Sequence, residues 1–230
     1  MNSIKKLLNY FTAVEIILWC SSITLTVASF AIFGGQSILN LCASLIGVTA
    51  LIFCAKGNPI GQLMMVVFSL FYGFISYTFD YYGEMITYLG MSAPMSVYAL
   101  IAWIRNPYNG NRSQVKVNRI GILETHIMLL TSIPVTVVFY FILARFHTAN
   151  LIPSTLSVTT SFIAVYLSAR RSPYFAIAYA VNDVVLIVLW ILAALTDISY
   201  LSVIICFVAF LANDIYSFTN WKRMEKKQHT

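Results

Sequence analysis

The sequence predicts an all-α polytopic membrane protein with eight transmembrane helices: one N-terminal helix, then a core of two three-helix repeats joined by a single helix. Three observations carry this. Of 230 residues, 60% are hydrophobic and only 10% charged, with mean hydropathy +0.81. A soluble domain has about 25% charged residues, so the charge is too sparse to cover a water-facing surface. The apolar residues fall into eight runs of about 18–23, the length that crosses a bilayer as a helix, and their lack of polar–apolar alternation excludes a β-barrel. The basic residues collect in alternate connections.

In chain order, run 12–33 follows Lys5 and Lys6 and holds Glu15. Its length and the lack of a small-x-small cleavage site favour an uncleaved anchor over a signal peptide. Runs 37–55, 59–79 and 85–104 follow with short connections. The long polar segment RNPYNGNRSQVKVNRIGI, Arg105 to Ile122, separates them from runs 124–145, 151–168, 174–195 and 199–220. With the N-terminus in the cytosol, 13 of the 14 basic residues lie in cytosolic segments and only Arg145 falls outside, while the outer loops carry Asp80, Glu84 and Asp197. The positive-inside rule predicts this bias, with both termini cytosolic. The net charge of +6 is thereby explained by topology, and nucleic acid is not a partner.

Cys20, Cys42, Cys54 and Cys206 lie in apolar runs without paired spacing and read as small core residues. The three histidines, His126, His147 and His229, are scattered and form no metal motif, and no Gly-rich phosphate loop occurs. No cofactor or metal is expected.

Run 37–55 ends in TALIFCAKGNP (Thr49 to Pro59) and run 151–168 in IAVYLSARRSP (Ile163 to Pro173). From those prolines the chain runs 44 residues to Trp103 and 48 to Trp221, each preceded five residues earlier by a tyrosine, Tyr98 and Tyr216. The domains follow: 1–36 with the extra helix, 37–105 the first repeat, 106–149 the loop and linker helix, 150–222 the second repeat, and 223–230 a basic cytoplasmic tail. A three-helix unit ends on the side opposite its start, and one linker helix restores that side. The repeats are therefore parallel, as in the SWEET-like transporter arrangement, with a substrate site expected between them near mid-membrane.

Asn-Asp recurs inside two apolar helices, at Asn182-Asp183 and Asn213-Asp214, each time with a tryptophan seven residues after the aspartate, Trp190 and Trp221. Seven residues are almost two helical turns, so each aspartate shares a face with its tryptophan, and Tyr179 and Ser217 lie on the same stripes. An aspartate at mid-membrane costs about 2.5–3.5 kcal/mol, which favours a pathway role. For the asparagines, a helix–helix clasp is an equal alternative. Trp221 is expected in the interfacial belt. The first repeat offers Ser69, Tyr72 and other hydroxyls but no embedded aspartate. A cavity aromatic on one side and acidic on the other suits a flat, hydroxyl-bearing, cationic solute and repels a phosphate.

SLIGVTALIFCAKGNPIGQ, VFSLFYGFISYTFDYYGEMITYLGMSAP and NDVVLIVLWILAALTDISYLSVIICFVAFLANDIYSFTNW resemble the PnuC family of bacterial vitamin transporters, over about residues 37–224. The resemblance implies a SWEET-like 3+1+3 core in the bacterial inner membrane. It also implies uptake of nicotinamide riboside, an NAD precursor, by facilitated diffusion, with retention through a cytosolic kinase. On it, Asn182 and Asn213 match the family's binding asparagines, and Trp190 and Tyr72 would close the pocket. The family's tight Trp-x-x-Trp is reduced here to Trp103 with Leu100 three before it, which leaves thiamine or riboflavin open as the vitamin. Two other classes stay open: an intramembrane enzyme, for which His126 lacks a nucleophile or metal partner in the sequence, and a non-transporting receptor. Partners reduce to the vitamin, the lipid bilayer, the kinase and, as an open option, further copies of the chain as a homo-oligomer.

Overall fold

The computed structural model describes residues 10–33, 38–78 and 82–229. Lys5, Lys6, Asp80 and Thr230 lie outside the described residues. Among those described, eight helices are long and apolar enough to span a membrane. They are α1 (Ala13–Phe33), α2 (Ile38–Ala55), α3 (Pro59–Thr78), α4 (Tyr82–Ile104), α5 (Ile122–Arg145), α6 (Leu151–Ala169), α7 (Tyr174–Ala194) and α8 (Leu201–His229).

Three details depart from the sequence reading. The segment after α4 contains a hairpin, β1 (Pro107–Tyr108) with β2 (Asn111–Val115), whose Asn109 and Gly110 have φ of 48° and 75°. Asn-Gly tolerates the left-handed turn that such a hairpin needs. The expected basic tail, 223–230, continues α8 as far as His229, with Met224 and Glu225 buried. Of the four cysteines, all free, only Cys54 and Cys206 are buried; Cys20 and Cys42 are exposed rather than in the core.

Helices α2 and α6 end alike. Gly57 N–H donates to Cys54 O (2.9 Å) and Asn58 N–H to Phe53 O (3.0 Å); Arg171 N–H donates to Ser168 O (2.9 Å) and Ser172 N–H to Leu167 O (3.0 Å). Both are Schellman endings with a left-handed residue, Gly57 at φ 66° and Arg171 at φ 57°. The hairpin strand and its exit bond to both endings, Val115 N–H to Gly57 O (2.9 Å) and Asn118 N–H to Arg171 O (3.0 Å). The tryptophans complete the correspondence. Trp221 Nε1 donates to Cys54 O and Trp103 Nε1 to Ser168 O, each at 2.8 Å. Cys54 and Ser168 occupy the same place in the two repeated motifs. Helix α2 packs on α8 and α6 on α4, so the first helix of each expected repeat meets the third of the other.

These contacts gather the start of α1, the ends of α2, α4, α6 and α8 and the hairpin at one end of the bundle. Its ion pairs lie there too: Lys56–Glu15, Arg119–Glu225, Lys222–Glu225 and a two-point pair between Arg170 and Glu124. Helix α1 docks through a polar stripe, with Glu15, Ser22, Thr26 and Ser29 buried. Such small polar residues let membrane helices approach closely.

Candidate functional site

At the basic end the bundle is sealed by aromatic rings. Trp103 and Trp221, both 0% exposed, have ring centres 5.3 Å apart, and Phe175 meets Trp221 edge-on at 4.9 Å. Trp221 is therefore a buried plug residue rather than a member of an interfacial belt. Its indole N–H reaches a main-chain carbonyl, which removes the cost of burying it.

Beyond this plug a cavity of about 430 Å³ opens between α2, α3, α4, α6, α7 and α8, within the usual range of about 300–1,000 Å³ for small-molecule sites. It runs from Met65, Tyr179 and Asp214 towards the end away from the basic residues, where Glu84 and Asp197 border it. Of the nine residues expected at the site, seven line it: Ser69, Tyr72, Tyr179, Asn182, Asp183, Trp190 and Asp214.

Asp183 and Asp214 are buried (3% and 2% exposed), and their carboxyl groups are neighbours. Asp183 Oδ2 and Asp214 Oδ1 have no partner among the described residues. The helical phase that puts each aspartate on its tryptophan's face also brings the two helices' carboxyls together, because α7 and α8 pack along their length. Asn182 Oδ1 accepts from Thr160 Oγ1 (2.7 Å) and Ser161 Oγ (3.1 Å), so α6 orients the amide at the cavity wall. From α3, the Tyr72 ring lies 5.2 Å from Tyr88 and 4.7 Å from Phe68; further along α7, Trp190 lies 5.2 Å from Tyr200.

Asn213 and Ser217 do not line the cavity. Asn213 Nδ2 donates to Ser22 Oγ of α1 (2.9 Å) and to Ala209 O (2.7 Å), the geometry of a helix clasp. Ser217 is buried (1% exposed).

The cavity also takes residues that the sequence reading placed elsewhere. Glu84 and Asp197, assigned to outer loops, are in its wall. Ser154, Ser157 and Ser161 line it from α6. Their i, i+3, i+7 spacing marks one helix face and was the available signal. In α4 a π-helical turn, Tyr88–Ser92, puts both of its end residues in the wall; such turns occur often at functional sites. The turn approaches α3 so closely that a Cβ on Gly73 would overlap the Leu89 side chain. The wall thus holds four carboxyl side chains, Glu84, Asp183, Asp197 and Asp214, and among the described residues no lysine, arginine or histidine.

Residues 37–223 match the family model described as nicotinamide mononucleotide transporter. The chain is 25% identical over 200 residues to the nicotinamide riboside transporter PnuC of Neisseria mucosa, covering 85% of this chain and 76% of that protein. The crystal structure of the vitamin B3 transporter PnuC superposes with a TM-score of 0.79 at 22% identity, covering 95% of this chain and 94% of that one, and so has the same fold. The family's members are transporters rather than enzymes, and with most of its length inside the family match, this chain belongs to the nicotinamide mononucleotide transporter family.

Proposed function

We propose that the chain takes up nicotinamide riboside by facilitated diffusion through the cavity between its two three-helix repeats. The observation that carries this reading is the charge of the cavity wall, four carboxyls and no basic residue among those described. Nicotinamide riboside is a flat pyridinium cation bearing ribose hydroxyls. Aromatic faces and carboxylates attract such a cation, and Asn182 with the serines offers partners to its hydroxyls. The mononucleotide named by the family model adds a phosphate, which the same carboxyls repel at low dielectric. Asn182, Asp183, Asp214, Trp190, Tyr72, Tyr179 and Ser69 form the binding set. The basic end faces the cytosol of the bacterial inner membrane, where a kinase retains the product.

The test is calorimetry on the purified protein with nicotinamide riboside, its mononucleotide, thiamine and riboflavin. Nicotinamide riboside should bind, and the mononucleotide at least about tenfold more weakly. Binding of thiamine or riboflavin without nicotinamide riboside would reassign the substrate.

A further inference from the structure

We propose that the basic end of the bundle holds a second site, for a phosphate-bearing anion, in the pocket of about 350 Å³ between the start of α1, the end of α2, the hairpin and the last turns of α8. It is separate from the transport cavity. Arg223 of this pocket lies nine residues beyond Asp214 on α8, about 13 Å along the axis, with the Trp103–Trp221 plug between.

Charge is the first argument. Lys56 and Glu15 both border the pocket, but they neutralise each other at 3.0 Å. Glu15 is 1% exposed and also accepts from Thr12 N–H (2.7 Å) and Tyr216 Oη (3.0 Å), so its lone pairs are engaged. Arg223 and Lys227 then add two positive charges. The four ion pairs among the described residues include neither. They stand at i and i+4 on α8, where like charges repel, and an anion seated between them relieves that repulsion.

Shape and donors are the second. The walls are polar side chains from three elements: Asn220 on α8, Asn111, Ser113 and Gln114 on the hairpin, and Tyr10 before α1. Tyr10 Oη donates to Ser113 O, and Asn220 and Gln114 each commit one amide hydrogen, to Ala55 O and Met224 Sδ. The second hydrogen of each of those amides, the Asn111 amide and the Ser113 hydroxyl give a phosphate directional partners beside the two cations. The platform is fixed. Asn220 Nδ2 donates to Ala55 O (2.8 Å), Trp221 Nε1 to Cys54 O (2.8 Å), and Gln228 Oε1 accepts from Val117 N–H (2.7 Å). Arg223 and Lys227 therefore project from an anchored helix rather than from a loose tail. The family match, residues 37–223, leaves out Tyr10, Thr12, Glu15 and Lys227, so the pocket depends on parts of the chain beyond the matched core. The phosphate can come from a soluble phosphomonoester or from an anionic lipid headgroup.

The experiment uses the full chain in an uncharged detergent. One arm titrates ribose 5-phosphate and inorganic phosphate by calorimetry. The other compares nanodiscs of phosphatidylcholine with and without phosphatidylglycerol, counting bound lipid by native mass spectrometry. Saturable binding is expected in at least one arm, and the arm identifies the source. The double variant Arg223→Gln/Lys227→Gln should weaken it about tenfold, while nicotinamide riboside affinity stays within about twofold and reports an intact fold. No saturable binding in either arm, or equal binding by the variant, overturns the proposal. If the variant does not fold, salt decides on the wild type. Binding must fall severalfold between about 0.05 and 0.3 M salt, and salt-independent binding overturns it.

Discussion

Replacing Asp183 by Asn keeps the shape of the cavity wall and removes one carboxylate, which isolates the electrostatic part of recognition. With about 5 Å between ring and carboxylate and an effective dielectric of about 20, one charge pair is worth about 3 kcal/mol. The adjacent Asp214 carboxyl remains and keeps roughly half of that attraction, so the variant should lose about 1.5 kcal/mol of charge attraction, about tenfold in affinity, on top of the altered hydrogen bond that a charged and a neutral ligand share. The control ligand is the 1,4-dihydro form of nicotinamide riboside, which carries the same ribose without the ring charge. Its loss should stay near that of one altered hydrogen bond, about 0.5–1.5 kcal/mol at most. The preference for the cation over the neutral form should therefore drop several-fold in Asp183→Asn and again in Asp214→Asn, measured by calorimetry on protein of unchanged melting temperature. Equal losses for both ligands would refute the electrostatic reasoning and leave the aspartates as hydrogen-bond acceptors; no loss for either would remove them from the site.

Asn182→Ala should weaken nicotinamide riboside about two- to tenfold, whereas Asn213→Ala should leave affinity unchanged and lower the melting temperature, because Asn213 ties α8 to Ser22 of α1. Trp103→Phe and Trp221→Phe each remove one buried indole hydrogen bond, while Ser168 O and Cys54 O keep their Arg171 and Gly57 N–H donors, at a cost of about 0.5–1.5 kcal/mol; thermal denaturation should show comparable losses, and a large inequality would count against the equivalence of the two repeats. Cysteines placed at Arg112 and at Thr196, in a background without the four native cysteines, should label from opposite sides of the membrane, Arg112 from the cytosol; labelling from one side would overturn the topology.

How far the sequence reached depends on the range of the interaction involved. Hydropathy runs are local sums over a window, so the eight helices could be placed within a few residues except at the end of α8, whose polar last turns run nine residues past the expected bound. The approach of Asp183 to Asp214 followed from helical phase and the packing of neighbours in the chain. Glu84 and Asp197 lie at the helix ends where the sequence put them, but their place in the cavity wall was missed because hydropathy reports polarity, not direction. Glu84 sits in the first turn of α4, and Asp197 precedes the 3₁₀ turn at Ile198–Tyr200, where its carboxylate accepts from Ser199 N–H (2.9 Å). Asn213 could not be separated from Asn182 by composition, since the two sit in the same dipeptide. What distinguishes them is the neighbour, α1 for one and α6 for the other. The hairpin was within reach, as Asn109-Gly110 is a strong turn signal, but the polar segment around it carried no apolar alternation to draw notice.

The hairpin sits astride the seam between the halves of the molecule, with one main-chain bond to Gly57 in the first and one to Arg171 in the second. Those bonds make it a hasp. Any motion that parts α2–α4 from α6–α8 at this end must release at least one of them, and must also break Trp221 from Cys54 and Trp103 from Ser168. A water-accessible hasp bond costs only about 0.5–1.5 kcal/mol to exchange for water, while a buried indole N–H left without its acceptor costs about 1–3 kcal/mol. The resistance to opening therefore rests mainly on the two indoles, and water reaching their N–H groups is what would lower it.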